Sequence, residues 1–215
     1  MKQDNLTAKQ NDYAIFLPAI SGFYATFIGK QRDPVNGPYV EPSRMPAGIQ
    51  DMEQMNWLND QKSLFPYKWS LASGGHANLD LNKQDWSEDM VRNRDPNTLL
   101  LGDSGGFQIA KGLWEGDWKA NSGCPKAQKK REAILKWLDG VATYGMTLDI
   151  PTWVIHDKNA SDKCGIKTLQ EAVDATKYNN EYFMKHRKGV KNGGMKVLNV
   201  LQGASHDDAD RWYDL

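Results

Sequence analysis

Three short segments hold the residues best suited to chemistry. In Gly102-Asp103-Ser104-Gly105-Gly106-Phe107-Gln108 a carboxylate stands directly before a serine and two glycines, and an aromatic residue follows them. The glycines let the backbone approach a flat ligand and take φ values closed to other residues. Phe107 can lie against the face of such a ligand, and Asp103 can take or give a proton at a ring nitrogen or a sugar. Alone, the segment reads more readily as a strand-to-loop turn, because an isolated glycine motif is a weak signal.

Asp149 and Gln202 change that weighting. The Watson–Crick edge of guanine presents two adjacent donors, N1–H and the 2-amino group, beside the O6 acceptor. An ionised carboxylate accepts from both donors, and an amide donates to O6. One Asp and one Gln therefore suffice to read that edge, and stacking by Phe107 would complete the slot that an extracted base usually receives. Adenine would leave these groups unpaired and be rejected.

The elements that must position these residues alternate between strand and helix. Tyr13 to Leu17 reads as a short buried strand closed by Pro18. The segment 29–48, with Pro34, Pro38, Pro42 and Pro46 among several glycines, holds neither a long helix nor a central strand. Met52 to Leu58 reads as a short helix. Strands are expected at 67–72, 98–101, 146–150 and 195–201. Amphipathic helices are expected at 126–144, with Ile134, Leu135, Leu138 and Val141 on one face, and at 169–187, with Leu169, Val173, Thr176 and Phe183 on one side. A further helix begins at His206, with acidic residues in its first turn.

Alternation of this kind predicts parallel βα units. Asp103, Asp149 and Gln202 each fall at the carboxyl end of an apolar strand, where ligands bind in barrels and open α/β sheets. About five strands are legible, against the eight of a full TIM-type (β/α)8 barrel. The expectation is thus the N-terminal part of such a barrel, with residues 1–62 as a divergent lead segment and 63–215 as the barrel part.

Composition narrows the partners. The 215 residues carry 27 basic and 27 acidic side chains, which is no footprint for a dedicated nucleic-acid module but suits an enzyme touching few phosphates. No apolar run approaches the roughly 20 residues needed to span a bilayer, and the polar start MKQDNLTAKQND lacks an apolar signal core. A cytoplasmic protein is expected. Cys124 and Cys164 form no Cys-x-x-Cys pair and read as reduced thiols. His156, Asp157 and Asp162 near Cys164 resemble a metal cluster only loosely, so no metal ligands are assigned. The basic clusters Lys126, Lys129, Lys130, Arg131 and Lys185, Arg187, Lys188, Lys191 read first as solvated helix faces.

The motifs themselves carry a resemblance. Leu101-Gly-Asp-Ser-Gly-Gly-Phe-Gln108 is similar to the Asp-Ser-Gly-Gly-Phe/Tyr-Gln motif of the tRNA-guanine transglycosylases. Asn199-Val-Leu-Gln-Gly203 resembles that family's later Val-Gln-Gly strand end. Leu148-Asp149-Ile-Pro-Thr152 resembles its Phe-Asp-Glu-Cys-x-Pro segment, departing after the Asp. Ser73-Gly-Gly-His76 matches its Asn-Thr-Tyr-His segment in the histidine. The resemblance runs from about Leu64 onward and implies a TIM-type barrel that exchanges guanine in a nucleic acid for a 7-deazaguanine.

By that resemblance Asp103 would be the proton acceptor for the incoming base. Ser104, Gly105, Gly106 and Phe107 would line the pocket, Asp149 and Gln202 would read the base, and Gly203 and His76 would border it. Turnover in the family passes through a covalent glycosyl-enzyme intermediate on a second aspartate. That aspartate, and the family's zinc site, belong to later strands, so no cofactor is expected in this chain, and the chain alone is expected not to complete exchange. The departures favour DNA over tRNA as substrate, as in virus-encoded relatives. A homodimer or a C-terminal partner chain is the expected assembly. Two rival readings stand beside this one: an unrelated barrel enzyme whose Gly-Gly turn cradles phosphate, and a non-catalytic subunit that binds base or nucleic acid.

Overall fold

The computed structural model describes residues 14–203 and 205–214. Among them run helix α1 (Gly22–Lys30), strand β1 (Trp69–Ser73), α2 (Asp89–Arg92), β2 (Leu99–Asp103), α3 (Gly106–Ala110), α4 (Pro125–Val141), β3 (Tyr144–Met146), α5 (Lys158–Cys164), α6 (Leu169–His186), β4 (Lys196–Leu198) and α7 (His206–Tyr213). The fold is mixed α/β, and its strands follow one another in a single four-stranded sheet in the order β1-β2-β3-β4. β3 and β4 pair in parallel, with Gly145 opposite Val197. The Lys68 carbonyl accepts from Leu99 N–H before β1 begins, and Gly74 N–H donates to the Asp103 carbonyl after it ends, so β1 and β2 also run the same way.

Two compact units divide the chain. The first comprises residues 1–72 and 84–101, and the second 73–83 and 102–215. The boundary expected near residue 62 falls inside the first unit. That unit packs Ile28, Met52, Leu58 and Met90 into a buried cluster, with Ile20, Tyr24, Phe27 and Trp57 against it. Ser21 caps α1 by accepting from Tyr24 N–H. Gly29 is required there because a Cβ would meet the Trp86 carbonyl oxygen. Arg32 bridges Glu53 at 3.0 Å and Asp89 at 3.2 Å.

The second unit is built on α4 and α6. α4 buries Ile134, Trp137, Leu138 and Val141, and α6 buries Val173, Thr176, Asn179 and Phe183. Each fully buried aliphatic contributes about 1.5–3 kcal/mol. Thr168 and Glu171 form a capping box that starts α6, with Glu171 N–H donating to the Thr168 hydroxyl.

Several sequence expectations move. Residues 14–17 are not a strand: they are exposed or half-buried, Phe16 being 73% exposed. Pairing begins instead at Ala19, bridged in parallel to Leu71, because Pro18 still offers its carbonyl to Leu71 N–H and Ile20 can donate to Leu71. Tyr13 lies outside the described residues. The helix expected at 52–58 is a single 3-10 turn, Met52–Met55. α4 stops at Val141, where Ala142 turns extended and lets Tyr144 start β3. β3 and β4 are both shorter than their apolar runs, ending at Met146 and Leu198.

Candidate functional site

The second unit carries the whole candidate site. β2 ends on Asp103, whose side chain is held from two directions. Ser73 Oγ, at the end of β1, donates to Oδ2 at 2.5 Å, and Gly105 N–H donates to Oδ1 at 3.3 Å. The next residue turns inward. Ser104 is fully buried, and its hydroxyl donates to the Thr147 carbonyl at 2.9 Å. It therefore ties this turn to the segment after β3 and does not offer its hydroxyl to a ligand.

Gly105 adopts a left-handed conformation, φ 86°, that an L-residue would resist. Gly106 then opens α3 under close approach: a Cβ there would lie 2.5 Å from the Asp149 carbonyl oxygen and 3.0 Å from Asp149 Oδ1. Two glycines thus bring the Asp103 turn directly against the Asp149 segment. Phe107 is 52% exposed, and its ring centroid lies 5.9 Å from that of Trp153. Lys111 Nζ stands 4.9 Å from the Trp153 ring centroid and 5.7 Å from that of Phe107.

Asp149 itself sits outside the regular strand yet is held firmly. Residues 147–150 are buried, and side chains replace the ladder that β3 has lost. Thr147 N–H donates to the Leu198 carbonyl at 2.9 Å. Asn179 Nδ2 donates to the Leu148 carbonyl at 2.8 Å, and Ile150 N–H donates to Thr176 Oγ1 at 2.9 Å. One face of α6 therefore grips the backbone on both sides of Asp149. Arg131 extends the grip, donating from Nε to Asn179 Oδ1 at 2.7 Å while its guanidinium lies 4.9 Å from the Tyr178 ring centroid.

Asp149 is only 6% exposed, and Gln202 Nε2 donates to its Oδ2 at 2.7 Å. Burial pushes its carboxyl up to about 6; hydrogen bonds from Gln202 and from its own backbone N–H oppose that rise, and nearby Asp103 adds to it. The carboxylate is partnered by a neutral amide, so its charge is not cancelled. Gln202 follows β4 on an irregular stretch. Gly203, at φ 150°, turns the chain where a Cβ would come within 2.8 Å of Ala209 N in α7.

The structure thus brings Asp103, Gly105, Gly106, Asp149 and Gln202 together. His76 is exposed on the turn after β1, and its backbone N–H, donating to the Ser73 carbonyl, is what ties it to the site. The loosely metal-like group is dispersed: Asp157 caps α5, Asp162 pairs with Lys167 at 3.3 Å, and Cys164 is buried. Sequence reasoning placed Ser73 and Gln108 within motifs without giving either a role, and it missed Trp153 and Lys111. Gln108 is buried under Gly75, where a Cβ would strike its amide, and its Oε1 has no hydrogen-bond partner among the described residues. The available signal was position: Ser73 ends a strand as Asp103 does, and Trp153 follows Asp149 by one turn of chain.

No protein family, no characterised protein and no solved structure matches the chain.

Proposed function

We propose that this chain is the base-recognition part of a guanine-exchange transglycosylase, acting on a nucleic acid and built on a TIM-type barrel. The observation that carries the proposal is the Asp149–Gln202 pair, an acceptor and a donor 2.7 Å apart beyond the ends of consecutive strands, with Asp103 beside them across Gly106. That pair presents what the guanine edge needs: carboxylate oxygens for N1–H and the 2-amino group, and an amide donor for O6. On binding, Gln202 would exchange its bond to Asp149 for one to O6, freeing Oδ2 for the base.

Asp103, oriented by the Ser73 hydroxyl and by Gly105 N–H, would act as the proton acceptor for the incoming base. Phe107 offers an exposed ring for stacking. Strand order supports the barrel. In doubly wound sheets the order reverses at a switch point, whereas β1-β2-β3-β4 here follow in sequence, as barrel strands do. The phosphate reading of the Gly-Gly turn is disfavoured, because Gly105 N–H already serves the Asp103 carboxylate and Asp149 lies against Gly106. Two carboxylates there repel an anion.

Calorimetric titration with guanine, a 7-deazaguanine and adenine tests the proposal. Binding of the first two, weak or no binding of adenine, and loss of binding in Asp149→Ala are expected. Equal binding of adenine and guanine would refute it. Since the chain alone is expected not to complete exchange, binding of guanine-containing DNA and RNA oligonucleotides, rather than incorporation, then separates the two substrates.

A further inference from the structure

Three lysines of the first basic cluster, Lys126, Lys129 and Lys130, and one of the second, Lys188, border one cavity. A groove of about 1300 Å³ in the second unit is lined by α4, by the end of α6 and its following turn, and by the segment after β1. Lys129, Lys130 and Lys136 come from α4 and Lys188 from beyond α6, together with Trp114 and Tyr182. The volume exceeds what one small ligand usually occupies, which favours an extended occupant.

Each carboxylate on the groove has a partner, but only Glu115 and Asp80 are matched by a cation. Asp139 accepts from two backbone donors, Lys188 N–H at 2.9 Å and Met195 N–H at 3.3 Å, which fix its carboxylate without cancelling its charge. Glu115 pairs with Lys126 at 3.4 Å, Asp80 with Lys83 at 4.0 Å, and Glu132 accepts from Gln128. Among the described residues, Lys129, Lys130, Lys136 and Lys188 enter no ion pair. Lys130 Nζ lies instead 4.9 Å from the centroid of the half-buried Trp114 ring.

The groove shares a wall with the candidate site. Gly74 and Gly75 line it. A Cβ on Gly105 would lie 2.6 Å from the Trp114 ring and 3.1 Å from Gly75 Cα. The glycine turn that carries Asp103 is therefore the partition between base site and groove.

We propose that this groove carries the single-stranded polynucleotide flanking the exchanged base, its phosphates on Lys129, Lys130, Lys136 and Lys188 and a base on Trp114. The choice of occupant rests on the base-exchange reading above; the combination of lysines outside ion pairs with an aromatic ring on the groove wall is the chemistry of a sequence-tolerant single-strand path.

The test is fluorescence-anisotropy titration of the full chain with a labelled oligothymidylate, its oligouridylate counterpart and a duplex, across a range of salt. Single strands should bind, with the DNA and RNA arms naming the sugar preferred. Replacing all four lysines by Gln should weaken binding roughly a hundredfold at low salt and reduce the log–log salt slope by about 0.7 per lysine. Replacing them by Arg should restore both. Asp149→Ala should lose free guanine yet keep the oligonucleotide affinity and slope. If guanine fails to bind the native chain while oligonucleotide binding still depends on the four lysines, the base reading falls and the groove stands. No oligonucleotide binding, a Gln variant within about twofold of the native chain, or a duplex bound as tightly as the single strand would overturn the groove.

Discussion

Asp149→Asn should make the protein more stable and less functional at once, and the size of the gain follows from burial. The carboxyl rises from an ordinary value of 3.8 to about 6 because folding takes it out of water beside a neutral amide. At about 1.4 kcal/mol per pH unit, that rise corresponds to about 3 kcal/mol of folding stability given up once the group is ionised in both states. The sign follows from proton counting. Between about pH 4 and 6 the folded chain holds the proton that the unfolded chain has released, so stability falls as pH increases through this window. Above it the loss is complete, and below it both states are protonated and the loss vanishes.

Asparagine is nearly isosteric with aspartate, keeps an oxygen for Gln202 and cannot ionise. Guanidinium unfolding of the native protein and the Asp149→Asn variant, followed by tryptophan fluorescence from pH 4 to 8, should therefore give a difference near zero at pH 4 that grows to about 3 kcal/mol in favour of the variant by pH 7. The same variant offers guanine a donor where the base needs an acceptor, so guanine affinity should fall by about 3 kcal/mol or more, the worth of two charge-assisted hydrogen bonds. A difference that does not change with pH, or a variant less stable than native at pH 7, would refute the reasoning.

Other perturbations probe the frame around this carboxylate. Phe107→Ala should weaken base binding by about 1–3 kcal/mol with little effect on unfolding, since the ring is half exposed; calorimetry and unfolding together check this. Gly106→Ala should destabilise by about 1–3 kcal/mol and abolish guanine binding, because its Cβ would force the Asp149 backbone aside. Thr176→Val removes the acceptor of Ile150 N–H and should cost about 1–3 kcal/mol, with local exchange of the Ile150 amide accelerated.

Legibility of the sequence followed the physics of each element. α6 was readable almost to the residue, because a capping box opens it and its apolar stripe has the helical period. β1 and β2 were readable as apolar runs ending at polar residues. α1 was missed because its sequence, GFYATFIGK, is apolar on most sides and carries no strong period. The ends of β3 and β4 were misplaced for a different reason: an apolar run looks like a strand whether its amides are paired by a neighbouring strand or by side chains. Thr176 and Asn179, one turn apart on α6, serve Ile150 and Leu148 in place of a strand, and nothing local to 147–150 announces that. Asp103 was legible as the last residue of a strand, whereas Asp149 and Gln202, expected at strand ends too, stand beyond the ends of β3 and β4. Ser104 was legible as part of a motif but not in its orientation, since only the tertiary partner Thr147 sets where its hydroxyl points.

The cost borne at Asp149 is itself an argument about what the site is for. A buried carboxylate kept only for structure is usually matched by a cation or by several backbone donors, which hold its proton affinity down. Arg131 lies close enough in the same unit to ground itself on Asn179, and that amide in turn holds the backbone of Leu148. Yet the cation serves positioning, and Asp149 receives a neutral donor. A full counter-charge would satisfy both oxygens and close them to a ligand. One side-chain amide and the backbone N–H of Asp149 itself leave acceptor capacity, and the amide can leave when a better-matched donor set arrives. Gln202→Arg separates these roles. The guanidinium should hold Asp149 ionised to lower pH and reduce the pH dependence of folding between about pH 4 and 6, while guanine binding is lost. An Arg variant that retained guanine affinity would show that the acceptor oxygens of Asp149 are not what the base meets.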